Sequence, residues 1–410
     1  MAGKRIVAVF TGNRAEYGLQ YPILLAIAAH PRLEYRLLVG GAHLDPDFGR
    51  TRAEIEADGF AIHAEVEVSM DQDSLSGTAR AIGAGVQSIA RALDRLKPDL
   101  LLVYADRFEG FAAVIAGTQM GIPTAHVEGG DLTEGGALDD SVRHAMTKLA
   151  HLHFTTNAEA AWRVRAMGEE AWRVHDVGFP VIDLIAQGRY TPAREVCRRH
   201  GLDPARPVVI FTQHSVATEF ECAAEQVAPS LAALERLAAK GVQVLVTYPN
   251  NDAGGRRIIT LIESWAARAP HGVQVHKSLG RADYHGILDL CGRAGRGACA
   301  GNSSSGIKET PAFGCPAVDI GTRQDGRLKA GNVIETGYDE GEIRAALERA
   351  LHDEAFRAHC RACDNPYGKG DAGPRIAETL AAVDLGPKLI AKRMTLRRAR
   401  PADSGLPLAV

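Results

Sequence analysis

Short runs of β-branched and other apolar residues recur along the chain, each followed by a polar or glycine-rich turn and then by a longer amphipathic segment. In the first half these runs are RIVAVF (5–10), YRLLVG (35–40), LLLVYAD (100–106) and PTAHVEG (123–129). They read as strands, with helices such as 17–29 and 77–96 between them. A second series begins after residue 205 with PVVIFTQH, VQVLVTYP, GVQVHKSL and RGACAG, again alternating with helical segments. Alternation of this kind is the βαβ pattern of parallel sheets covered on both faces. With 410 residues, 46% of them hydrophobic, the chain exceeds one core, so two α/β domains are expected, joined near VGFPVIDLIAQG (177–188). Ligands in open α/β sheets lie beyond the carboxyl ends of the strands. Polar clusters follow VAVF, LLVYA, TAHV, VIFTQ, VLVTYP and RGACA, so one cleft between two facing sheets collects them all.

Charge changes this picture little. A net charge of -3 gives no general attraction to nucleic acid or to an anionic membrane, so neither is expected as a partner and anions must be met by local arginines and helix ends. The exception, KLIAKRMTLRRARP (388–401), reads as part of a mobile basic tail over 386–410. There is no charged leader with an apolar core and no apolar run of about 18 residues, which leads to the expectation of a cytoplasmic protein. Seven cysteines, an odd number, fit reduced thiols. Cys360 and Cys363 form a single C-x-x-C without a second pair, and His151 with His153 in AHLHFTT share a strand face without a third ligand. No metal site is expected from either.

The clearest anion-binding pattern is GACAGNSSSGIKETPAFG (297–314), where a small-residue strand runs into a serine-rich turn and a short helix. Backbone N–H groups and the hydroxyls of Ser303 and Ser304 suit a phosphate, although an N-capped helix explains serines too. Glu309, about a turn further on, is placed to accept from ribose hydroxyls. IGTRQDGR (320–327) adds Arg323, and TGNRAEYG (11–18) adds Arg14 from the other domain, both able to fork onto a diphosphate. His214 ends the first strand of the second domain and faces the same cleft. TYPNNDAGG (247–255) offers Asn250 and its neighbours as sugar or base hydrogen-bonders, or equally as an Asx turn.

The other half of the cleft is acidic. YADRFEG places Asp106 and Arg107 directly after a strand, and HVEGGDLTEGGALDDSVRH holds Glu128, Asp131, Glu134, Asp139 and Asp140 within 13 residues. So many carboxylates on glycine-rich backbone must be solvated, paired or used in chemistry. Asp139 with Arg143 and Asp140 with His144 are spaced i, i+4, which fits simple helix pairing. Glu128 and Asp139, coming from different elements, can also face each other across a substrate as acid and base. Spacing alone does not rank Asp139 above Asp140.

Taken together, TGNRAEYG, DRFE, HVEGGD, DDSVRHAMTKLAHLHF, YPNNDAGG, GNSSSGIKE and GTRQ resemble the motifs of the hydrolysing UDP-N-acetylglucosamine 2-epimerases, in family order from residue 11 to about 335. The resemblance implies a GT-B architecture: two Rossmann-like, doubly wound α/β domains (1–182 and 183–365) facing across a cleft that binds UDP, with a helix over 366–385 returning to the first domain. It implies that Arg14, His214, Ser303, Ser304, Glu309 and Arg323 hold UDP, with Arg107, Arg143 and Asn250 near the nucleotide sugar. Asp106, Glu128 and Asp139 would be the catalytic carboxylates, with His214 assisting the leaving group, and Glu16 would orient Arg14. No cofactor or metal is implied, and a homodimer or homotetramer is.

The implied reaction removes the C2 proton as UDP leaves from C1, then adds water across the resulting 2-acetamidoglucal to give N-acetylmannosamine. The same chemistry on a UDP-2,4-diacetamido-2,4,6-trideoxyhexose stays open, because the stretch between Glu128 and Asp139 is slightly longer than in relatives and Ala105 stands where many of them carry glycine. A non-hydrolysing epimerase, a GT-B glycosyltransferase and a non-catalytic sugar-nucleotide sensor are the competing readings.

Overall fold

The computed structural model describes residues 3–45, 51–68, 75–133, 138–250, 252–268 and 271–395. Among the described residues thirteen strands fall into two sheets. The first contains β1 (Arg5–Thr11), β2 (Leu33–Gly40), β3 (Ile62–Val66), β4 (Leu100–Tyr104), β5 (Thr124–Val127), β6 (Leu152–Thr155) and β7 (Val174–Asp176), in the order β3-β2-β1-β4-β5-β6-β7. The second contains β8 (Val208–Thr212), β9 (Gln243–Thr247), β10 (Val273–His276), β11 (Gly297–Gly301), β12 (Ala317–Ile320) and β13 (Val333–Thr336), in the order β10-β9-β8-β11-β12-β13. Every pairing is parallel.

The central strands are apolar throughout because both of their faces are covered. In β4, Leu100, Leu102 and Tyr104 enter one core layer and Leu101 and Val103 the opposite one. In β8, Val209 and Phe211 face one layer and Val208 and Ile210 the other. Strand order reverses between β1 and β4 and again between β8 and β11. Such switch points leave a crevice above the carboxyl edge, because the helices on either side leave in opposite directions. The architecture is therefore α/β with two doubly wound, Rossmann-like sheets, in agreement with the GT-B expectation.

The chain crosses back after the second sheet. The helix Ala372–Ala382 buries Ile376, Ala377 and Leu380 in the first domain's core. Its start is held by the Asp183 carboxylate, which accepts from the N–H groups of Ala372 (2.9 Å) and Gly373 (2.7 Å). The segment 386–395, expected from its charge to begin a mobile tail, is anchored to the first domain. The Arg173 guanidinium donates to the carbonyls of Leu389 (2.7 Å) and Lys388 (2.8 Å). Lys392 donates to the carbonyls of Lys148 (2.7 Å) and Ala150 (2.5 Å) and pairs with Glu169 at 2.9 Å. Lys392 is therefore met by helix-end carbonyls and a carboxylate rather than by water, while Lys388 and Arg393 stay exposed. The rest of the expected tail, 396–410, lies outside the described residues.

Candidate active site

The acidic half of the site begins where β4 and β5 end. Ala105 (φ 57°) and Glu128 (φ 66°) both sit in the left-handed region, which turns Asp106 and the Glu128 side chain toward the crevice at a steric cost borne by Cβ. His126 braces this turn. Burial lowers its pKa to about 3, so the ring is neutral, and its Nε2–H donates to the Ala105 carbonyl at 2.6 Å. Glycine is unstrained at such a φ. Ala105→Gly is accordingly expected to stabilise the fold by about 0.5–1 kcal/mol in urea denaturation, the relief of strain exceeding the added freedom of the unfolded chain.

Arg143, on the helix Leu138–Leu149, organises the carboxylates. Its side chain is 2% exposed. The guanidinium touches the Asp106 carboxylate and donates to Thr133 Oγ1 (2.8 Å) and the Glu128 carbonyl (3.4 Å). Its helical partner is Asp140, at 3.6 Å. The expected i, i+4 pairing with Asp139 is thus replaced by an i, i+3 pairing, because a helical side chain leans toward the helix N-terminus and here reaches back to the end of β4. Burial opposes the positive charge, but Asp106, Glu128, Asp131 and Asp140 together hold the proton on. Arg143 is therefore enclosed by protein groups, where the resemblance had suggested a substrate contact.

This arrangement separates the two aspartates that spacing had left equivalent. Asp140 is held by Arg143 and by the Thr133 N–H, which donates to it at 3.0 Å. Asp139 is pushed up to about 6, first by burial and then by the neighbouring charge of Asp106, with Asp252 of the second domain also contributing. A carboxyl group with that pKa exchanges protons near neutral pH. Arg107 lies beside Glu109, with Nε 3.7 Å from Oε2. Glu134 lies outside the described residues.

The opposite wall is built on β8, β9 and β11. Gly301 ends β11 at φ 115°, with room for no side chain: a Cβ there would lie 1.9 Å from the Thr212 carbonyl oxygen. This close approach sets Asn302 under His214. The Asn302 side chain accepts from the His214 N–H (2.6 Å) and donates to its carbonyl (2.9 Å), while the Asn302 carbonyl accepts from Gln324 (2.8 Å) and Arg323 (3.4 Å). The Asn250 N–H donates to His214 Nδ1 at 3.0 Å, leaving the ring proton on Nε2. Burial and then Arg323 lower this histidine to about 3, so it acts as a neutral donor. Asn250 also donates to Asp252, whose carboxylate lies 4.0 Å from Arg323. Glu309 Oε2 pairs with His285 (2.8 Å) and accepts from Ser305 (3.2 Å). Ser303 and Ser304 stay partly exposed on the loop between Asn302 and the short helix Ser305–Lys308.

Lys308 links the two walls. Its ammonium donates to the Glu128 carboxylate and to Asp131 Oδ2 at 2.7 Å. Burial would raise Asp131, but Lys308, then Arg143 and Arg327, hold it well below the usual carboxylate range. Asn302, Lys308 and Gln324 were not singled out from the sequence, although all three lie within the quoted motifs. Lys308 in particular reads there as an ordinary surface lysine.

One expectation changes. Glu16 does not orient Arg14: it is buried behind Asn13, the cap of the helix Arg14–Ala29, and accepts from Gln20 at 2.6 Å. Arg14 pairs instead with Glu54 at 2.9 Å, and both are about half exposed. The two strand histidines also have structural partners. His151 Nδ1 accepts from the Thr124 N–H (3.0 Å) and His153 meets Glu169 (3.0 Å). Among the described residues no group of three or more His, Cys, Asp or Glu is arranged to hold a metal.

Comparison with known proteins bears on this site. The chain is 32% identical over 372 residues to a UDP-N-acetylglucosamine 2-epimerase of Neisseria meningitidis serogroup B, covering 90% of this chain and 92% of the relative. It is 31% identical over 389 residues to a hydrolysing UDP-N,N'-diacetylbacillosamine 2-epimerase of Legionella pneumophila, covering 95% and 98%. Among solved structures, a putative UDP-N-acetylglucosamine 2-epimerase from Listeria monocytogenes superposes with a TM-score of 0.76 at 18% identity, over 92% of this chain and 96% of that one. These structures share the fold. The family described as UDP-N-acetylglucosamine 2-epimerase matches residues 25–381, and with a run of that length enclosing both walls of the cleft, the chain belongs to the UDP-N-acetylglucosamine 2-epimerase family.

Proposed function

We propose that this enzyme is a hydrolysing 2-epimerase that converts UDP-N-acetylglucosamine to N-acetylmannosamine and UDP. The observation that carries the reading is Asp139: a carboxyl group with a pKa near 6, beside Asp106 and electrostatically coupled to Asp252 on the opposite wall. In this reading UDP lies along the second domain, met by Ser303, Ser304, Glu309, Arg323 and the neutral Nε2–H of His214. Arg107 and Asn250 flank the sugar. Arg14 reaches the diphosphate by exchanging Glu54 for phosphate.

Chemistry then follows from the two walls. A carboxylate takes the C2 proton, the C2–H electrons form the C1–C2 double bond, and the C1–O bond breaks with its electrons leaving on the diphosphate of UDP. That proton is weakly acidic, so the developing charge on the leaving group must be met at the same moment by Arg323 and His214. Water then adds its oxygen to C1, giving up one proton to a neighbouring carboxylate, while a carboxyl group returns a proton to C2 from the opposite face. Asp139 is the group best matched to carrying that proton, with Asp106 and Glu128 on the same wall.

A second substrate is favoured by one observation: a relative acting on a diacetylbacillosamine nucleotide is as similar to this chain as the N-acetylglucosamine enzyme is. NMR of the protein with UDP-N-acetylglucosamine in deuterated water tests both readings. Free N-acetylmannosamine with deuterium at C2, together with UDP, is the expected result. UDP-N-acetylmannosamine without UDP release would mean a non-hydrolysing epimerase. Turnover of the 2,4-diacetamido nucleotide alone would move the assignment to that sugar.

A further inference from the structure

Lys308 is placed unlike any other cation of the site. It ends the one-turn helix that follows the Ser303–Ser304 loop, yet its side chain leaves the second domain and finishes among residues of the first. The side chain is 3% exposed. Its ammonium meets the carboxylates of Glu128 and Asp131, 180 and 177 residues away in sequence. It also lies over the rings of Phe179 (4.9 Å) and Tyr367 (5.5 Å). These two residues belong to the segments where the chain passes between the domains, and the Phe179 N–H donates to the Tyr367 carbonyl at 2.6 Å. Beside it, Arg327 crosses the same boundary to the Leu132 carbonyl (2.6 Å) and Thr133 Oγ1 (3.0 Å).

A lysine so enclosed is tolerated only with its anions in place, and those anions come from the other domain. Arg143 reaches Glu128 through the backbone carbonyl, so Lys308 is the cation in contact with the Glu128 carboxylate. The contact joins the two domains in this arrangement of the sheets. We propose that Lys308 is a positioning residue that makes the acidic wall conditional on closure: it orients the Glu128 carboxylate only when the domain carrying the serine loop has closed onto it. One helical turn then transmits occupancy of that loop to the chemical end of the site. The consequence for turnover rests on the reading of Glu128 as a catalytic carboxylate and of the serine loop as the UDP site.

Hydrogen exchange on the full-length protein, with and without UDP, tests this for wild type, Lys308→Met, and the charge-balanced double variant Lys308→Met with Asp131→Asn. The double variant covers the case in which unpaired buried carboxylates prevent the single variant from folding. In wild type, UDP is expected to slow exchange at both 305–310 and 128–133. In the variants, 305–310 is still protected and 128–133 is not, and kcat falls at least tenfold with KM within about threefold. Equal UDP protection of 128–133 in wild type and double variant would overturn the proposal, as would a kcat within twofold of wild type. Selective loss of that protection in a protein that turns over neither sugar would support the coupling and refute the reaction assigned above.

Discussion

Replacing Asp139 with asparagine is expected to lower kcat by about 10²–10⁴-fold, the usual contribution of a positioned acid or base, while UDP affinity stays within a few-fold. The same substitution should make the protein more stable above neutral pH. The folded-state pKa of Asp139 lies near 6 against an ordinary 3.8, so between these values the folded state binds more protons than the unfolded one. Stability therefore falls as pH rises from about 4 through about 6, by up to about 3 kcal/mol for a pKa difference of about two. Asparagine carries no such penalty. Urea denaturation at pH 4, 6 and 8 should show the variant gaining on wild type through that window and holding its advantage at pH 8. A variant less stable than wild type at pH 8 would mean that Arg107 and Arg143 outweigh burial. In wild type, kcat/KM should carry a limb near pH 6 that Asp139→Asn removes. Stability gained as activity is lost is the usual mark of a group held in an unfavourable state for its chemistry.

The largest loss of stability is expected from Arg143→Met. The substitution roughly preserves apolar volume but leaves buried Asp140 and part-buried Asp106 without their cation, and leaves Thr133 and the Glu128 carbonyl short of a donor. Removing one partner of such a buried pair costs about 3–5 kcal/mol, which in a domain of this size lowers Tm by roughly 10 °C. Neutralising the partner tests the mechanism: Asp106→Asn should cost less in the Arg143→Met background than in wild type. A double-mutant cycle measured by urea denaturation would return that coupling directly, and additive effects would mean that the two side chains do not depend on each other.

The central strands were legible because both of their faces are buried, so LLLVY and VVIFT read as continuous apolar runs whatever surrounds them. Three of the four edge strands were not; only β10, within GVQVHKSL, was. β3 is IHAEV, β7 is VHD and β13 is VIET, short and polar because edges are covered on fewer sides, so their extended state is set by the neighbouring strand. The helix after TGN starts at Arg14 rather than near 17, since the Asn13 side chain caps it by accepting from the Glu16 N–H. At the site, the motifs located both walls, but they could not tell Asp139 from Asp140 or Lys308 from a surface lysine. Those distinctions depend on what each side chain meets once folded: Asp106 beside Asp139, Arg143 beside Asp140, and for Lys308 carboxylates of the other domain.

The tail shows the same limit from another direction. Local composition between 386 and 395 predicts solvation, and the segment is held instead by Arg173, which donates to the Leu389 carbonyl, and by the carbonyls and Glu169 that Lys392 meets, partners that no local pattern announces. By itself, the sequence determined the alternation of strand and helix, the two-domain division of apolar runs, and the loops in which the polar chemistry lies, because these follow from periodicity and from which residues tolerate water. Only the tertiary structure decided the charge states and partnerships: a carboxyl raised to about 6 at Asp139, a neutral His214, an arginine enclosed among four carboxylates, and a lysine that crosses the cleft. Burial and proximity set those properties and come only with folding; for Lys308 they also require the two sheets to face each other.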